Sequence, residues 1–222
     1  MVGGADKVII SKKKPLEEIL GAMRGEKKLA IIGCSSCASA CAVGGENECA
    51  AMKQALEERG FEIIVPVLPA ESCVFPYVRM AVREATRAGA QAILSLACGS
   101  GVQTIAQNTD LPVYAGSNTQ FIGQVVKAGV FNEMCRSCGD CLLNHTGGIC
   151  PITKCAKSLV NGPCGGARNG KCEVNPENDC AWILIYNRLN ALGQLDRLDE
   201  AVADKDYSRH CQPGHRDLKE DM

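Results

Sequence analysis

The sequence predicts an α/β fold: a parallel sheet of about four strands flanked by helices, followed by a small cysteine-rich module with a C-terminal helix. Short apolar runs alternate with helix-forming segments up to about residue 130, and this alternation is typical of βαβ units. From residue 131 onward cysteine and glycine become frequent and the alternation ends. We therefore predict an α/β domain at residues 1–130 and a cysteine-rich module at residues 131–222.

The first elements follow from apolar runs and helix-ending signals. A helical pattern at residues 15–25 leads into the sequence KKLAIIG at 27–33, which is short, apolar and typical of a buried strand. The helix-forming segment at 46–60 ends at a glycine that can cap it. The sequence FEIIV at 61–65 is then the second strand.

The later elements continue the same alternation, and a proline in the first turn marks the start of the next helix. In chain order we predict a helix at 76–89, a third strand at 91–96, a short helix at 101–109, a fourth strand at 111–116 and a fourth helix at 118–129. A parallel sheet with helices on both faces follows from this order.

Cysteines follow three of the predicted strands. Cys34 and Cys37 come after the first strand, Cys73 lies in the loop after the second, and Cys98 follows the third. The carboxyl ends of neighbouring parallel strands meet at one edge of a sheet, where α/β proteins bind ligands. Four thiolates are the usual ligands of an iron–sulfur cluster, so we predict a metal site at this edge, with Cys41 as a substitute ligand.

An alternative for the same region is a phosphate-binding loop. The sequence GCSSCASACAVGG is rich in glycine, but it lacks both the dinucleotide-binding pattern and the P-loop pattern. A nucleotide needs no thiols, so we favour the metal. Cys49 falls inside the second predicted helix and is expected to be a buried core residue.

The second half contains eight further cysteines, enough for two sites of four thiolates. They are Cys135, Cys138, Cys141, Cys150, Cys155, Cys164, Cys172 and Cys180. The first three have the spacing C-x2-C-x2-C, and a Cys-Pro pair follows after a gap of eight residues instead of the three found in bacterial ferredoxins. Iron–sulfur and zinc both accept four thiolates, and we favour iron–sulfur. His145 is a further candidate ligand, although a loop histidine without a role is more common.

The C-terminal helix is predicted over residues 179–198, with Asp179 as its N-cap. The helical period places four apolar side chains on one face: Trp182, Ile185, Leu189 and Leu192. The charged tail that follows, with His210, Cys211 and His215, is expected to be a solvated end.

Composition excludes several functions. The net charge is -1 and only 4% of residues are aromatic, so neither a nucleic acid nor an anionic membrane is expected as a partner. No signal peptide or transmembrane segment is recognisable, which predicts a cytoplasmic protein. Fifteen cysteines in the cytoplasm favour metal ligation over disulfides.

The sequence CGDCLLNHTGGICPITKCAKSLVNGPCGG, followed by GKCEV and CAWILIYNRL, resembles the C-terminal domain associated with methylenetetrahydrofolate reductases. With GCSSCASACAVGGE and SLACGSGVQT, the chain over residues 28–198 resembles the small iron–sulfur (MetV-type) subunit of the two-subunit reductase of acetogenic bacteria. By this resemblance twelve cysteines match those of the family: the eight of the second half and Cys34, Cys37, Cys73 and Cys98.

The resemblance implies an electron-transfer subunit with two or more [4Fe-4S] clusters, and zinc as the alternative at one site. Its partner would be a TIM-barrel subunit that carries the flavin (FMN) and reduces 5,10-methylenetetrahydrofolate to 5-methyltetrahydrofolate in the Wood–Ljungdahl pathway. A separate electron-donor protein or further redox subunits would supply the electrons.

The residues themselves agree with a carrier, because the sequence offers neither a nucleophile–base pair nor a flavin or dinucleotide fingerprint. We therefore expect no catalytic activity from this chain alone. A structural zinc scaffold of the same complex is the alternative. A third hypothesis is a self-sufficient redox enzyme with a nucleotide in its α/β domain.

Overall fold

The computed structural model describes residues 9–206 together with residues 208 and 214. The chain divides into two compact units, Met1–Asn132 and Glu133–Met222. The three residues singled out in the charged tail, His210, Cys211 and His215, lie outside the described residues. Among the helices that are described, none combines the length and the apolar character needed to cross a membrane.

The strands, in chain order, are β1 (Ile9–Lys13), β2 (Lys28–Ile32), β3 (Glu62–Val67), β4 (Ala92–Ser95), β5 (Val113–Ala115), β6 (Ser117–Lys127) and β7 (Val130–Cys135). The helices are α1 (Leu16–Ala22), α2 (Cys37–Ala40), α3 (Glu46–Glu57), α4 (Phe75–Arg87), α5 (Gly99–Ala106), α6 (Pro151–Lys154) and α7 (Ala181–Ala191), and a 3₁₀ turn covers Leu195–Leu198.

The predicted four-stranded parallel sheet is confirmed, with the order β3-β2-β4-β5. Strand β2 lies at its centre and is buried from Leu29 to Ile32 because helices cover both faces. Leu29 and Ile31 pack in one core with residues of α1 and α3, and Ala30 and Ile32 pack in another with residues of α4 and α5. This alternation is the period of two that a strand imposes on its side chains.

The predicted helix at 118–129 is wrong, because this segment forms the long strand β6. It is rich in residues that favour strands, Thr119, Phe121, Ile122, Val125 and Val126, and an interior glycine weakens a helix there. A glycine at 129 adopts φ 74°, which lets the chain turn directly into β7. Most of this strand is exposed, so its apolar and polar residues do not alternate in the way that predicts a strand.

A second sheet, which the sequence did not predict, has the order β1-β6-β7. Strand β1 pairs antiparallel with β6, so that Ile9 lies opposite Ile122 and Ser11 opposite Thr119. The five residues of β1 have their pairing partner more than a hundred positions away in the sequence. No local pattern could show this pairing, because hydrogen bonds to a distant strand determine it.

The second unit has little regular structure besides α6 and α7. Trp182, Ile185 and Leu189 form the centre of its apolar cluster, as the helical period predicts. Leu192, the fourth residue of the predicted face, is the C-cap of the helix and is 42% exposed. Asp179 is not the N-cap: Cys180 occupies that position, and the Asp179 carboxylate accepts a hydrogen bond from Lys171 Nζ at 2.7 Å.

Candidate metal centres

The first cysteine group lies at the carboxyl edge of the parallel sheet. Strands β3, β2 and β4 are neighbours, so the loops that follow them leave the sheet side by side. Cys34 lies two residues beyond β2, Cys37 begins α2, and Cys98 is the N-cap of α5 after β4. Cys73 lies in the loop between β3 and α4. Cys34 and Cys98 are buried, whereas Cys73 is exposed to solvent.

Backbone hydrogen bonds hold these loops together. Gly33 N–H donates to Val67 O at 2.9 Å, and Cys34 N–H donates to Gly44 O at 2.8 Å. A side chain at 33 would collide with Cys49 Sγ and Gly44 O, both 2.5 Å from the position of its Cβ. The tight turn that positions Cys34 therefore requires glycine.

A buried serine ties the second loop to the first. The hydroxyl of Ser72 donates to Gly33 O at 2.6 Å, and its side chain is completely buried. This bond holds the residue before Cys73 against the residue before Cys34. Sequence reasoning missed Ser72, because a serine in a loop carries no signal until the fold brings its acceptor close.

The thiols of this group interact electrostatically. Cys73 is exposed as a residue, but partial desolvation of its thiol raises its pKa, and the negative charges that Cys98, Cys34 and Cys37 would carry as thiolates raise it further. Burial likewise raises the pKa of Cys41, with smaller contributions from Cys37 and Cys98. Cys73 therefore lies within electrostatic range of Cys34, Cys37 and Cys98, and Cys41 lies within range of the last two.

The antiparallel sheet lies against this edge. The Cys41 thiol donates to Ile9 O on β1 at 3.7 Å, and Gly99 N–H, next to Cys98, donates to Thr119 Oγ1 on β6 at 2.7 Å. Ser11, which pairs with Thr119, is 6% exposed, and its hydroxyl has no hydrogen-bond partner in the described part of the chain. A buried hydroxyl without a partner is unusual in proteins, and a polar group beside it would satisfy it.

Cys49 behaves differently from these five. Its side chain is buried in the core between β2 and α3, and its thiol donates to Gly44 O at 3.8 Å. Burial raises its pKa to about 11. The prediction that Cys49 is a core residue is confirmed.

The second cysteine group surrounds a small cavity in the second unit. Four thiols line this space of about 20 Å³, together with the side chain of Trp182. They are Cys155, Cys164, Cys172 and Cys180. Cys155 follows α6 and Cys180 begins α7, while the loop between them supplies the other two. All four are among the ligands predicted from the sequence, which does not show that they form one group.

Two backbone bonds fold that loop. Cys172 N–H donates to Asn178 O at 2.9 Å, and Cys180 N–H donates to Gly170 O at 2.8 Å. The indole N–H of Trp182 donates to Leu159 O at 3.1 Å, which holds the ring against the cavity. These bonds fix the four-cysteine cavity without extensive secondary structure.

Backbone N–H groups surround two of the cavity sulfurs, those of Cys172 and Cys164. N–H groups of Asn175 and Val174 lower the pKa of Cys172. Gly166 N–H donates to Cys164 Sγ at 3.4 Å, and the Cys164 thiol donates to the Glu173 carboxylate, also at 3.4 Å. Lys157 forms an ion pair with the same carboxylate. Hydrogen bonds of this kind help to set the potential of a cluster whose sulfurs accept them.

Two of the remaining four cysteines of the second half lie at the end of β7 and the start of α6, and the other two lie in the loop between these elements. Cys135 closes β7 and accepts a hydrogen bond from Ser137 N–H at 3.3 Å, and Cys150 is the N-cap of α6. Lys154 Nζ donates to Glu133 O at 2.9 Å, which holds α6 beside the end of β7. Cys138 and Cys141 belong to the intervening loop.

Within the described ranges, no three His, Cys, Asp or Glu side chains converge closely enough to hold a single metal ion. A zinc ion would draw its thiolates to about 2.3 Å from one point, whereas a cluster of four irons spreads its ligands over a larger centre. The sheet edge and the cavity each offer four thiols. This ligand set is chemically suited both to an iron–sulfur cluster and to a tetrahedral zinc ion.

His145 is not placed among the cysteines of the cavity. It lines a separate groove of about 470 Å³ on the second unit, together with Thr146, Asn161, Tyr186 and Arg197. Trp182 also lines this groove and so forms a wall shared with the four-cysteine cavity.

Comparison with known proteins gives one family match. Residues 114–208, a little under half of the chain, match the family model described as "Methylene-tetrahydrofolate reductase C terminal". No curated protein matches. One similar solved structure is described provisionally as a branched-chain amino acid ABC transporter from Rhodospirillum rubrum, with 22% identity and a TM-score of 0.32.

The similarity to that structure covers 45% of this chain and 27% of the other, and it carries no functional argument. The family match spans β6, β7 and the cysteine-rich unit, including all eight of its cysteines. The second half of the chain is thus similar to the C-terminal region of methylenetetrahydrofolate reductases.

Proposed function

We propose that this chain is an electron-transfer iron–sulfur subunit of a methylenetetrahydrofolate reductase complex. The observation that carries the proposal is the four-cysteine cavity, in which Cys155, Cys164, Cys172 and Cys180 surround one space inside the segment that matches the reductase family. The first-half cysteines at the sheet edge support a second centre, because their loops leave neighbouring strands.

A bound iron–sulfur cluster would supply reversible one-electron transfer. The protein would supply thiolates, hydrogen bonds to sulfur and a shell that excludes water. At the cavity, Gly166 N–H donates to Cys164 Sγ and the Trp182 ring closes one wall. At the sheet edge, the burial of Cys34 and Cys98 would exclude water from the bound cluster.

The catalytic partner of the proposal is a flavin-carrying TIM-barrel subunit that binds the folate. The described part of this chain offers no dinucleotide-binding glycine pattern, and its two grooves of about 470 and 550 Å³ are both lined by residues of the cysteine-rich unit. Reduction of 5,10-methylenetetrahydrofolate is therefore assigned to the partner, and the acetogen-type pathway is the proposed context.

A structural zinc scaffold of the same complex is the second candidate. The observation that favours it is the small size of the four-cysteine cavity, about 20 Å³, together with a thiol set that zinc also accepts. Metal analysis of anaerobically purified protein separates the two. Iron with equal sulfide and a brown colour supports the carrier, whereas colourless protein that holds only zinc supports the scaffold. Turnover of the folate by this chain alone would contradict both.

A further inference from the structure

Helix α4 exposes apolar side chains that its own packing does not require. Met80 is 70% exposed, Phe75 50% and Tyr77 44%. The opposite side of the helix is already buried against the sheet, through Val78 and Val82 among others. Large apolar groups that stay in solvent next to a complete core are typical of a surface that binds another molecule.

The same exposed side carries a row of arginines. Arg79, Arg83 and Arg87 are spaced four residues apart and therefore lie along one strip of the helix. All three are exposed, and none forms an ion pair with any residue that the structure describes. Glu84 is the one carboxylate in the helix, so the face has excess positive charge.

One arginine links the charged strip to the apolar groups. The Arg79 guanidinium lies over the Phe75 ring, 5.7 Å from its centroid. Arginine, methionine and aromatic residues are enriched in the centres of protein interfaces, where lysine and glutamate are depleted. The composition of the face therefore resembles an interface more than an ordinary solvated helix.

The position of the face connects it to the candidate metal centre. Helix α4 begins at Phe75, two residues after Cys73. Cys73 is the exposed thiol of the sheet-edge group, whereas Cys34 and Cys98 are buried. A protein bound on α4 near Phe75 would lie beside the part of the sheet edge that solvent reaches.

We propose that this face of α4, defined by Phe75, Tyr77, Arg79, Met80, Arg83 and Arg87, docks an acidic protein that carries a one-electron cofactor. The inference rests on the proposed function. Unpaired positive charge attracts a negatively charged partner and accelerates encounter. A helix of this length is about 20 Å long, which suits the small interfaces of transient redox complexes. One electron leaves the reduced partner and enters this chain, and no atom is transferred.

The test is a stopped-flow measurement on the anaerobically reconstituted full chain. The probe is a reduced acidic plant-type ferredoxin, and reduced methyl viologen, a small cation, serves as the second donor. The test variant is Arg79→Glu with Arg83→Glu. The matched control is Lys12→Glu with Lys127→Glu, which reverses two exposed lysines on the antiparallel sheet.

The second-order rate constant with ferredoxin should fall at least tenfold in the α4 variant at low ionic strength, and its salt dependence should flatten. The rate with viologen should change less than twofold, and the control should behave like wild type with both donors. Unchanged ferredoxin rates in the α4 variant would overturn the inference.

Two other results would also overturn it. If the α4 variant loses self-association or binding to the flavin-carrying subunit while the ferredoxin rate is kept, the face belongs to that other interface. If viologen reduces no centre in the wild-type chain, the proposed function itself fails. If viologen reduces the chain but the arginine substitutions do not change the ferredoxin rate, the proposed function is retained and this docking site is excluded.

Discussion

At the scale of single residues, Ser11 presents a buried polar group on the strand next to Cys41. Its hydroxyl is buried without a partner in the described residues, and it lies on the strand that contacts Cys41. Burying a hydroxyl without a hydrogen bond costs roughly 1–3 kcal/mol, so its persistence needs a reason. A sulfur acceptor at the sheet edge would provide one. No local sequence pattern indicates this role, since the pairing of Ser11 with Thr119 spans the whole domain.

Ser11→Ala should therefore shift the midpoint potential of the sheet-edge centre to a more negative value, because a hydrogen bond to sulfur stabilises the reduced state. The measurement is a redox titration followed by EPR, with Thr104→Ala as the control. The Thr104 hydroxyl bonds only to Ser100 O on an exposed part of α5. Equal potentials in Ser11→Ala and wild type would show that this hydroxyl has another role.

Cys49 makes stability depend on pH in a direction that can be stated. Burial raises its pKa from 9.0 to about 11, so the folded state retains the proton more strongly than the unfolded chain does. This contribution to stability is fully present below pH 9, and it is lost as the pH rises from 9 toward 11.

At pH 10, ionisation of the unfolded thiol should reduce the free energy of unfolding by about 1 kcal/mol relative to pH 7. Urea unfolding of wild type and Cys49→Ala at both pH values measures this. The variant is less stable at both, but its own pH dependence should be smaller by that amount. If the free energy of unfolding depends on pH equally in both proteins, groups other than Cys49 cause the loss of stability.

At the scale of elements, α7 contributes Trp182 as the wall of the four-cysteine cavity. Trp182→Phe keeps the apolar ring and removes the indole N–H that donates to Leu159 O. We expect a loss of about 1 kcal/mol in stability and faster release of metal to a chelator. Tyr186→Phe, on the exposed side of the same helix, is the control and should leave the release rate unchanged. Equal release from both variants would exclude Trp182 as a barrier.

The elements also show what the sequence could predict. Strands β2, β3 and β4 were predictable because each is a short apolar run followed by a helix pattern, and their adjacency placed three cysteine loops at one edge. Strand β6 was predicted as a helix because its hydrogen bonds go to β1, far away in the sequence. The helix α7 and its buried residues followed from periodicity, whereas its N-cap did not.

The cysteine groups differ in the same way. The sheet-edge group could be assembled from topology alone. The cavity group could not, because loops without a period position Cys164 and Cys172, and the ferredoxin-like spacing drew attention to Cys135, Cys138 and Cys141 instead. Only backbone bonds such as Cys172 N–H to Asn178 O bring the cavity thiols together.

At the scale of the whole molecule, each compact unit has its own group of thiols. The central claim is that both groups bind iron. The direct measurement is iron and acid-labile sulfide per chain after anaerobic reconstitution, in wild type, Cys98→Ser, Cys172→Ser and Cys49→Ala. The first two substitutions remove one thiol from the sheet edge and from the cavity, and the third removes a core thiol outside both.

The account predicts iron and sulfide in equal amounts in the wild type, a loss of iron or a labile centre in Cys98→Ser and in Cys172→Ser, and wild-type iron in Cys49→Ala. Iron-free wild-type protein that holds only zinc would contradict it, and so would full iron content in both ligand variants.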